Sequence, residues 1–155
     1  MISDKRTILI INVDYQDEFN NQINTIVIDN LTSIGIICEL VSVPSLLNVG
    51  SLISMANESE TYSAYIVSHM HSRNSHMSDL LFTTAVQDIN SIASSYNLAL
   101  GYIIIEDDKI LQTPNKVFEV ATKGVEQAIK MMEFKNYFED NKSLEENLEG
   151  LYNFG

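Results

Sequence analysis

The feature that most constrains this chain is an alternation. Short, continuous apolar runs bounded by polar residues take turns with longer stretches whose apolar residues recur at helical spacing. The first run, TILIINV at residues 7–13, is rich in β-branched residues and has the pattern of a strand covered on both faces, which points to a parallel sheet. Beyond it Phe19, Ile23, Ile26, Val27, Leu31 and Ile34 form a helical stripe, and Gly35 stands where a helix would stop. The unit then repeats. Residues 36–43 (IICELVSV) read as a strand ended by Pro44, residues 46–56 as a shorter helix, and residues 58–61 as a turn. Residues 64–67 (AYIV) read as a third strand that exits into a polar, histidine-rich stretch at 68–78. Residues 79–96 carry Leu81, Ala85, Ile89, Ile92 and Ala93 on one stripe, and residues 98–105 (LALGYIII) are a fourth buried strand. After a loop at 106–114, Val117, Ala121, Val125, Ala128 and Met132 define a last long helix.

Four βα units of this kind predict an α/β fold, a three-layer α/β/α sandwich with a four-stranded parallel sheet and right-handed crossovers, flavodoxin-like in plan. Ligands of such sheets bind beyond the carboxyl ends of the strands. The segments to search are therefore 14–18, 44–48, 68–78 and 106–114.

The chain has 155 residues, enough for one core and too few for two. The reading assigns residues 1–135 to a single α/β domain and 136–155 to an acidic tail or a short docked helix. In that last stretch Glu139, Asp140, Glu145, Glu146 and Glu149 stand against Lys142, among Tyr137, Phe138, Leu144, Leu148 and Leu151. With 9 basic and 21 acidic residues the formal charge is −12. That balance argues against nucleic acid as a partner, because binding to a phosphate backbone depends on clustered cations. The apolar runs are strand-sized, far short of the ~20 residues of a membrane span, so no membrane partner is expected. Asp4, Lys5 and Arg6 precede only such a run, and Cys38 is the one cysteine, which together predict a reducing, cytoplasmic setting. Cys38 lies mid-strand and reads as a core residue.

All three histidines, His69, His71 and His76, fall in the window S-H-M-H-S-R-N-S-H. Three readings stay open at this point. His-x-His on an extended segment puts both imidazoles on one face, and with Asp79 these residues have the composition of a metal site, although no other histidine is available to complete it. One histidine near its ordinary pKa could instead do general acid/base work beside Arg73 as an anion clamp. The third reading is polar loop histidines or interface contacts. Lys123, in A-T-K-G, is a point charge able to reach an anion or to sit on a solvated helix face. No G-x-G-x-x-G follows the first strand, and no Walker-type or G-x-S-x-G motif is present, which disfavours the common nucleotide sites and a hydrolase elbow.

The order of elements and several positions, over about residues 7–134, resemble the lumazine synthase family. The opening I-L-I-I-N-V-D-Y-Q-D-E-F is similar to the family's first strand and its following turn, with Tyr15 at the aromatic position that stacks on the pyrimidine ring. V-S-V-P-S-L-L-N-V-G resembles V-P-G-A-F-E-I-P, with Ser45 in place of the Gly, Leu46 and Leu47 in the substrate-facing turn, and Asn48 in place of the Glu that contacts the ribityl chain. Y-S-A-Y-I-V-S-H-M-H-S-R-N-S-H resembles the family's phosphate-loop block, with Arg73, Asn74 and Ser75 at its phosphate-binding positions. The family's acid/base histidine falls on His76 if the loop is two residues shorter, and on Ser78 if it is not; His76 is preferred. A-T-K-G-V-E-Q-A-I-K-M-M resembles G-N-K-G-x-E-A-A, with Lys123 on the lysine and Lys116 able to stand in for a second basic residue.

The resemblance implies a transferase of riboflavin biosynthesis, 6,7-dimethyl-8-ribityllumazine synthase. It would condense 5-amino-6-ribitylamino-pyrimidinedione with 3,4-dihydroxy-2-butanone 4-phosphate, with no metal and no cofactor. It also implies a homopentamer or larger shell with sites shared between subunits, and riboflavin synthase as a possible partner. The alternative is a catalytically weakened or inactive homologue, acting in assembly or binding a flavin-like ring on Tyr15.

Overall fold

The computed structural model describes residues 6–14, 17–59, 62–71, 76–106 and 108–152. Its elements are β1 (Thr7–Val13), α1 (Asp17–Ser33), β2 (Ile37–Val43), α2 (Val49–Glu58), β3 (Ala64–Met70), α3 (His76–Tyr96), β4 (Leu100–Ile105) and α4 (Pro114–Tyr152). Short 3₁₀ turns, Leu46–Asn48 and Asp108–Gln112, precede α2 and α4. The strands form one parallel sheet in the order β2-β1-β3-β4. This is the expected three-layer, flavodoxin-like α/β/α sandwich.

Successive side chains of a strand point to opposite faces, so each inner strand feeds two cores. On one face Ile8, Ile10, Ile66 and Ile103 meet Phe19, Ile23, Val27 and Leu31 of α1 and Val117, Ala121, Val125 and Ala128 of α4. On the other, Leu9, Ile11, Val13, Tyr65 and Val67 meet Ile53 of α2 and Ala85 and Ile89 of α3. These stripes are the ones the helical spacing marked, except that Ile34 and Leu81, expected on them, are 57% and 45% exposed. Gly35 adopts φ 80° just past α1, and the Ile36 N–H donates to the Leu31 carbonyl at 3.0 Å, which closes the helix end with a left-handed residue. Asn97 does the same for α3 at φ 55°.

Four differences from the sequence expectation matter. β2 is an edge strand and is largely open to solvent, with Ile37 44% and Leu40 49% exposed, because it has a neighbouring strand on one side only. β3 runs on to Met70, three residues past the expected end, so His69 belongs to the strand rather than to its exit loop. α3 begins at His76, which makes that residue part of the first helical turn. Finally, α4 is continuous to Tyr152, about 58 Å at 1.5 Å per residue, so residues 136–152 continue this helix rather than forming a tail or a separate docked element. Its last buried residue through position 141 is Met132. No described helix is long and apolar enough to cross a membrane.

Candidate functional site at the carboxyl ends of β1 and β3

The chain leaves β1 toward β2 on one side and returns to β3 on the other. The carboxyl ends of β1 and β3 therefore flank the point where the connections reverse, and a crevice opens there in sheets of this kind. Asn12 and Ser68 are register partners across these two strands, on the α1 face. Asn20 of α1 donates its Nδ2–H to the Asn12 Oδ1 at 3.0 Å, and all three residues are buried. One turn further, the Asn24 Oδ1 is buried without a hydrogen-bond partner, as is the Ser68 Oγ. Buried polar atoms of this kind normally carry a hydrogen bond, and leaving one unmade costs about 1–3 kcal/mol, so their concentration here calls for a reason beyond folding.

The opposite face carries the histidines. Because β3 continues to Met70, His69 and His71 project to the α3 side, where both rings lie against Phe82, at 6.1 and 4.3 Å between centroids. The two imidazoles are 5.9 Å apart. His71 is buried, its N–H donates to the Ile105 carbonyl at 2.7 Å, and its Nε2 lies 3.0 Å from Oδ1 of the half-exposed Asp79. His69 has no such anchor, and its Nδ1 is buried with no hydrogen-bond partner. Burial, reinforced by neighbouring His71 and only partly offset by Asp14, pushes the His69 pKa down from 6.5 to about 4. The ring is therefore neutral at pH 7. Asp14 ends β1 in a left-handed conformation, φ 49°, with its N–H donating to the Val43 carbonyl at 2.8 Å, which ties the exit of β1 to that of β2. Aspartate tolerates this conformation better than most residues.

Chemically, the α3 face of the β3 exit pairs a neutral imidazole that has an unpartnered nitrogen with a carboxylate-held histidine and an aromatic wall, while the uncharged Asn and Ser groups are buried on the opposite, α1 face. Such a set can hydrogen-bond a polar molecule and exchange a proton with it. Among the described residues, no group of three His, Cys, Asp or Glu side chains is arranged to hold a metal ion.

The residues singled out from sequence fare unevenly. Tyr15, Arg73, Asn74 and Ser75 lie outside the described residues; His76 is placed only as the first residue of α3. Leu46 is buried in the core beneath α2 and α3, while Leu47 and Asn48 are exposed and Asn48 makes no side-chain capping bond to α2. Ser45, matched to a loop glycine, serves the local backbone instead. Its Oγ accepts the Leu47 N–H at 3.2 Å and caps the 3₁₀ turn. Lys123 needs correcting. It is 71% exposed on α4 and pairs with Glu119 one turn earlier, Nζ to Oε1 at 3.0 Å. The next residue, Gly124, packs on Tyr102 and Ile103 in the middle of β4, so this stretch of helix is level with the body of the sheet and not with its carboxyl end. The glycine of A-T-K-G is needed for packing, since a Cβ there would sit 2.3 Å from the Ile103 Cγ1.

Asn12, Asn20, Asn24, Ser68, Asp14 and Phe82 were not singled out. The available signal was a polar residue in an otherwise apolar run, Asn12 in TILIINV, facing two asparagines spaced four apart on a helix. A groove of about 970 Å³ lies at the other end of the sheet, where Leu98 and Leu100 lead into β4, beside Asn90, Met131, Phe134 and Phe138. Its mainly apolar walls include no histidine.

Fold and site together define a flavodoxin-like α/β domain with a histidine cluster at the carboxyl end of β3, beside the point where its connections reverse. No family model and no curated protein matches the chain. Among solved structures it is similar to the diflavin flavoprotein A3 from Nostoc sp., with a TM-score of 0.44 and 11% identity over 83% of this chain and 95% of that one. The lumazine synthase activity implied by the sequence resemblance does not stand: Lys123, which it placed on the substrate, is exposed on the side of α4, paired with Glu119 and level with the middle of β4 rather than with the carboxyl ends of the strands. Riboflavin biosynthesis and the pentameric shell rested on that resemblance alone.

Proposed function

We propose that this domain binds a small polar molecule beyond the carboxyl ends of β1 and β3, and that His69 is the group that exchanges a hydrogen bond or a proton with it. The carrying observation is the buried, unpartnered Nδ1 of a histidine held neutral beside a second, carboxylate-anchored histidine. A strongly anionic ligand suits the site poorly, because Asp14 and Asp79 border it in a chain of net charge −12. An uncharged or weakly cationic molecule with a flat face to lie along Phe82 and the imidazoles fits best.

The test is a set of histidine-ring NMR spectra recorded against a library of small polar metabolites. The expected result is saturable shifts at His69 and His71 for some members, lost in His69→Phe, which keeps the ring packing and removes the nitrogen. Ligands that shift only signals lining the groove at the amino end would overturn the reading. A pH series on the free protein is a second check. With the folded pKa near 4 and the unfolded one at 6.5, the unfolded chain takes up a proton in this interval that the folded chain does not. The stability associated with neutral His69 is whole above pH 6.5 and is lost as pH falls toward 4. His69→Phe should flatten that part of the profile, and an unaltered profile would contradict the burial assigned to His69.

A further inference from the structure

β2 has one neighbour in the sheet, β1, and its other side is open. The Ile37 N–H donates to the Arg6 carbonyl and the Val43 carbonyl accepts from Asp14, so the odd-numbered residues of β2 turn their backbone groups toward β1. Cys38, Leu40 and Ser42 therefore turn theirs outward, and among the described residues no further strand pairs with them. Natural sheets usually blunt such an edge with lysine, proline, a bulge or a covering helix. Here the strand reads ICELVSV over seven residues, without proline or lysine.

Charge distinguishes this edge from the rest of the chain. Residues 31–57 contain a single Asp, Glu, Lys or Arg, namely Glu39, in a protein with 21 acidic residues and 9 basic ones. Glu39 is itself engaged within the chain, as acceptor of the Tyr62 hydroxyl. Ile34, Ile37, Leu40 and Leu47 are all exposed large apolar residues along this stretch. A second molecule of net charge −12 meets repulsion over much of the surface and least of it here.

We infer that the β2 edge is a self-association surface, on which β2 of a second copy pairs antiparallel about a two-fold axis through Leu40. That register is self-complementary. Leu40 faces Leu40 of the second copy and Cys38 faces its Ser42, both as hydrogen-bonded pairs built from outward-turned backbone groups. Glu39 falls opposite Val41, so no two acids meet. The sheet becomes continuous across eight strands, while β4 remains the outer edge on each side.

The experiment uses the full chain. Sedimentation or light scattering over a dilution series should give a species of twice 17.5 kDa that dissociates on dilution. Ser42→Pro removes an outward N–H that β1 does not use, and Leu40→Lys places a charge on the axis. Each should give a monomer with unchanged circular dichroism and a thermal midpoint that no longer depends on protein concentration. Register is read by Ser42→Cys. Opposed residues of a hydrogen-bonded pair have Cα atoms about 5.5 Å apart, within disulfide reach, so mild oxidation should link the two copies through Cys38. The link should vanish in Cys38→Ala/Ser42→Cys. A wild-type chain that is monomeric throughout the series overturns the inference. So does a dimer that persists in Ser42→Pro and Leu40→Lys, which places association on another surface such as the exposed face of α4.

Discussion

At β4 an outward-turned backbone group at the middle of the strand is met by the protein itself. The Tyr102 N–H donates to Oε1 of Gln127 at 2.9 Å, and the Tyr102 hydroxyl donates to Oδ1 of Asn90 at 2.7 Å, with burial pushing its pKa up to about 12. α4 lies directly on the strand because Gly101 and Gly124 face each other; a Cβ at Gly101 would stand 2.4 Å from the Gly124 carbonyl oxygen. At β2, the other edge of the same sheet, the outward groups of Cys38, Leu40 and Ser42 meet no such helix, and the side chains around them carry almost no charge. One edge is sealed by a long-range side-chain bond and a glycine contact, whereas the other is left available. The contrast teaches that an open edge in this fold is not an oversight of composition, since the chain can close an edge and does so where α4 passes.

The largest effect should come from breaking the sealed edge at its tightest point. In Gly124→Val the new Cβ would sit 2.3 Å from the Ile103 Cγ1 and 2.7 Å from the Tyr102 carbonyl oxygen. The helix must lift, and chemical denaturation should report a loss of about 3 kcal/mol. Wild-type stability in this variant would mean that α4 is not seated on β4. Gln127→Leu is the next largest. It leaves the Tyr102 N–H without its acceptor, for an expected loss of about 1–2 kcal/mol and faster hydrogen exchange at that amide. An amide that stays as protected as before would show that the seal does not depend on Gln127. The smallest stability effect belongs to the open edge, where Ser42→Pro and Leu40→Lys, compared with wild type at a dilution where all three are monomeric, should stay within about 0.5 kcal/mol, because neither touches a group buried within one chain. A large loss in both at that dilution would show that the outward groups of β2 already have partners within one chain and that the two edges are alike.

The layers and their helices were legible because periodicity is local. TILIINV, the stripe from Phe19 to Leu31, and the stripe from Val117 to Met132 each state the faces they bury, and all three are buried as spaced. Gly35 announced the end of α1 by the same logic. The candidate site was only half legible. The histidine window marked the end of β3, but the extension of that strand to Met70 depends on pairing His69 and Met70 with Ile104 and Ile105, residues some thirty-five positions away. Lys123 shows the opposite failure. A short motif matched, yet in three dimensions its glycine serves helix–strand contact and its lysine an i,i+4 ion pair. The asparagines were missed because a lone polar residue in an apolar strand is ambiguous until a partner such as Asn20 is placed above it.

By itself, then, the sequence determined the alternation of strands and helices, the parallel sheet, and the net acidity of the chain, since each follows from local spacing or from a sum over the chain. Only the tertiary structure decided which strand became an open edge, that half-buried His69 has a buried, unpartnered Nδ1 while His71 is held by Asp79, and that Gly124 rather than Lys123 is the working residue of its motif. The physical reason is common to all three. Burial, hydrogen-bond satisfaction and close approach are properties of pairs far apart in the chain, and no local pattern encodes the partner.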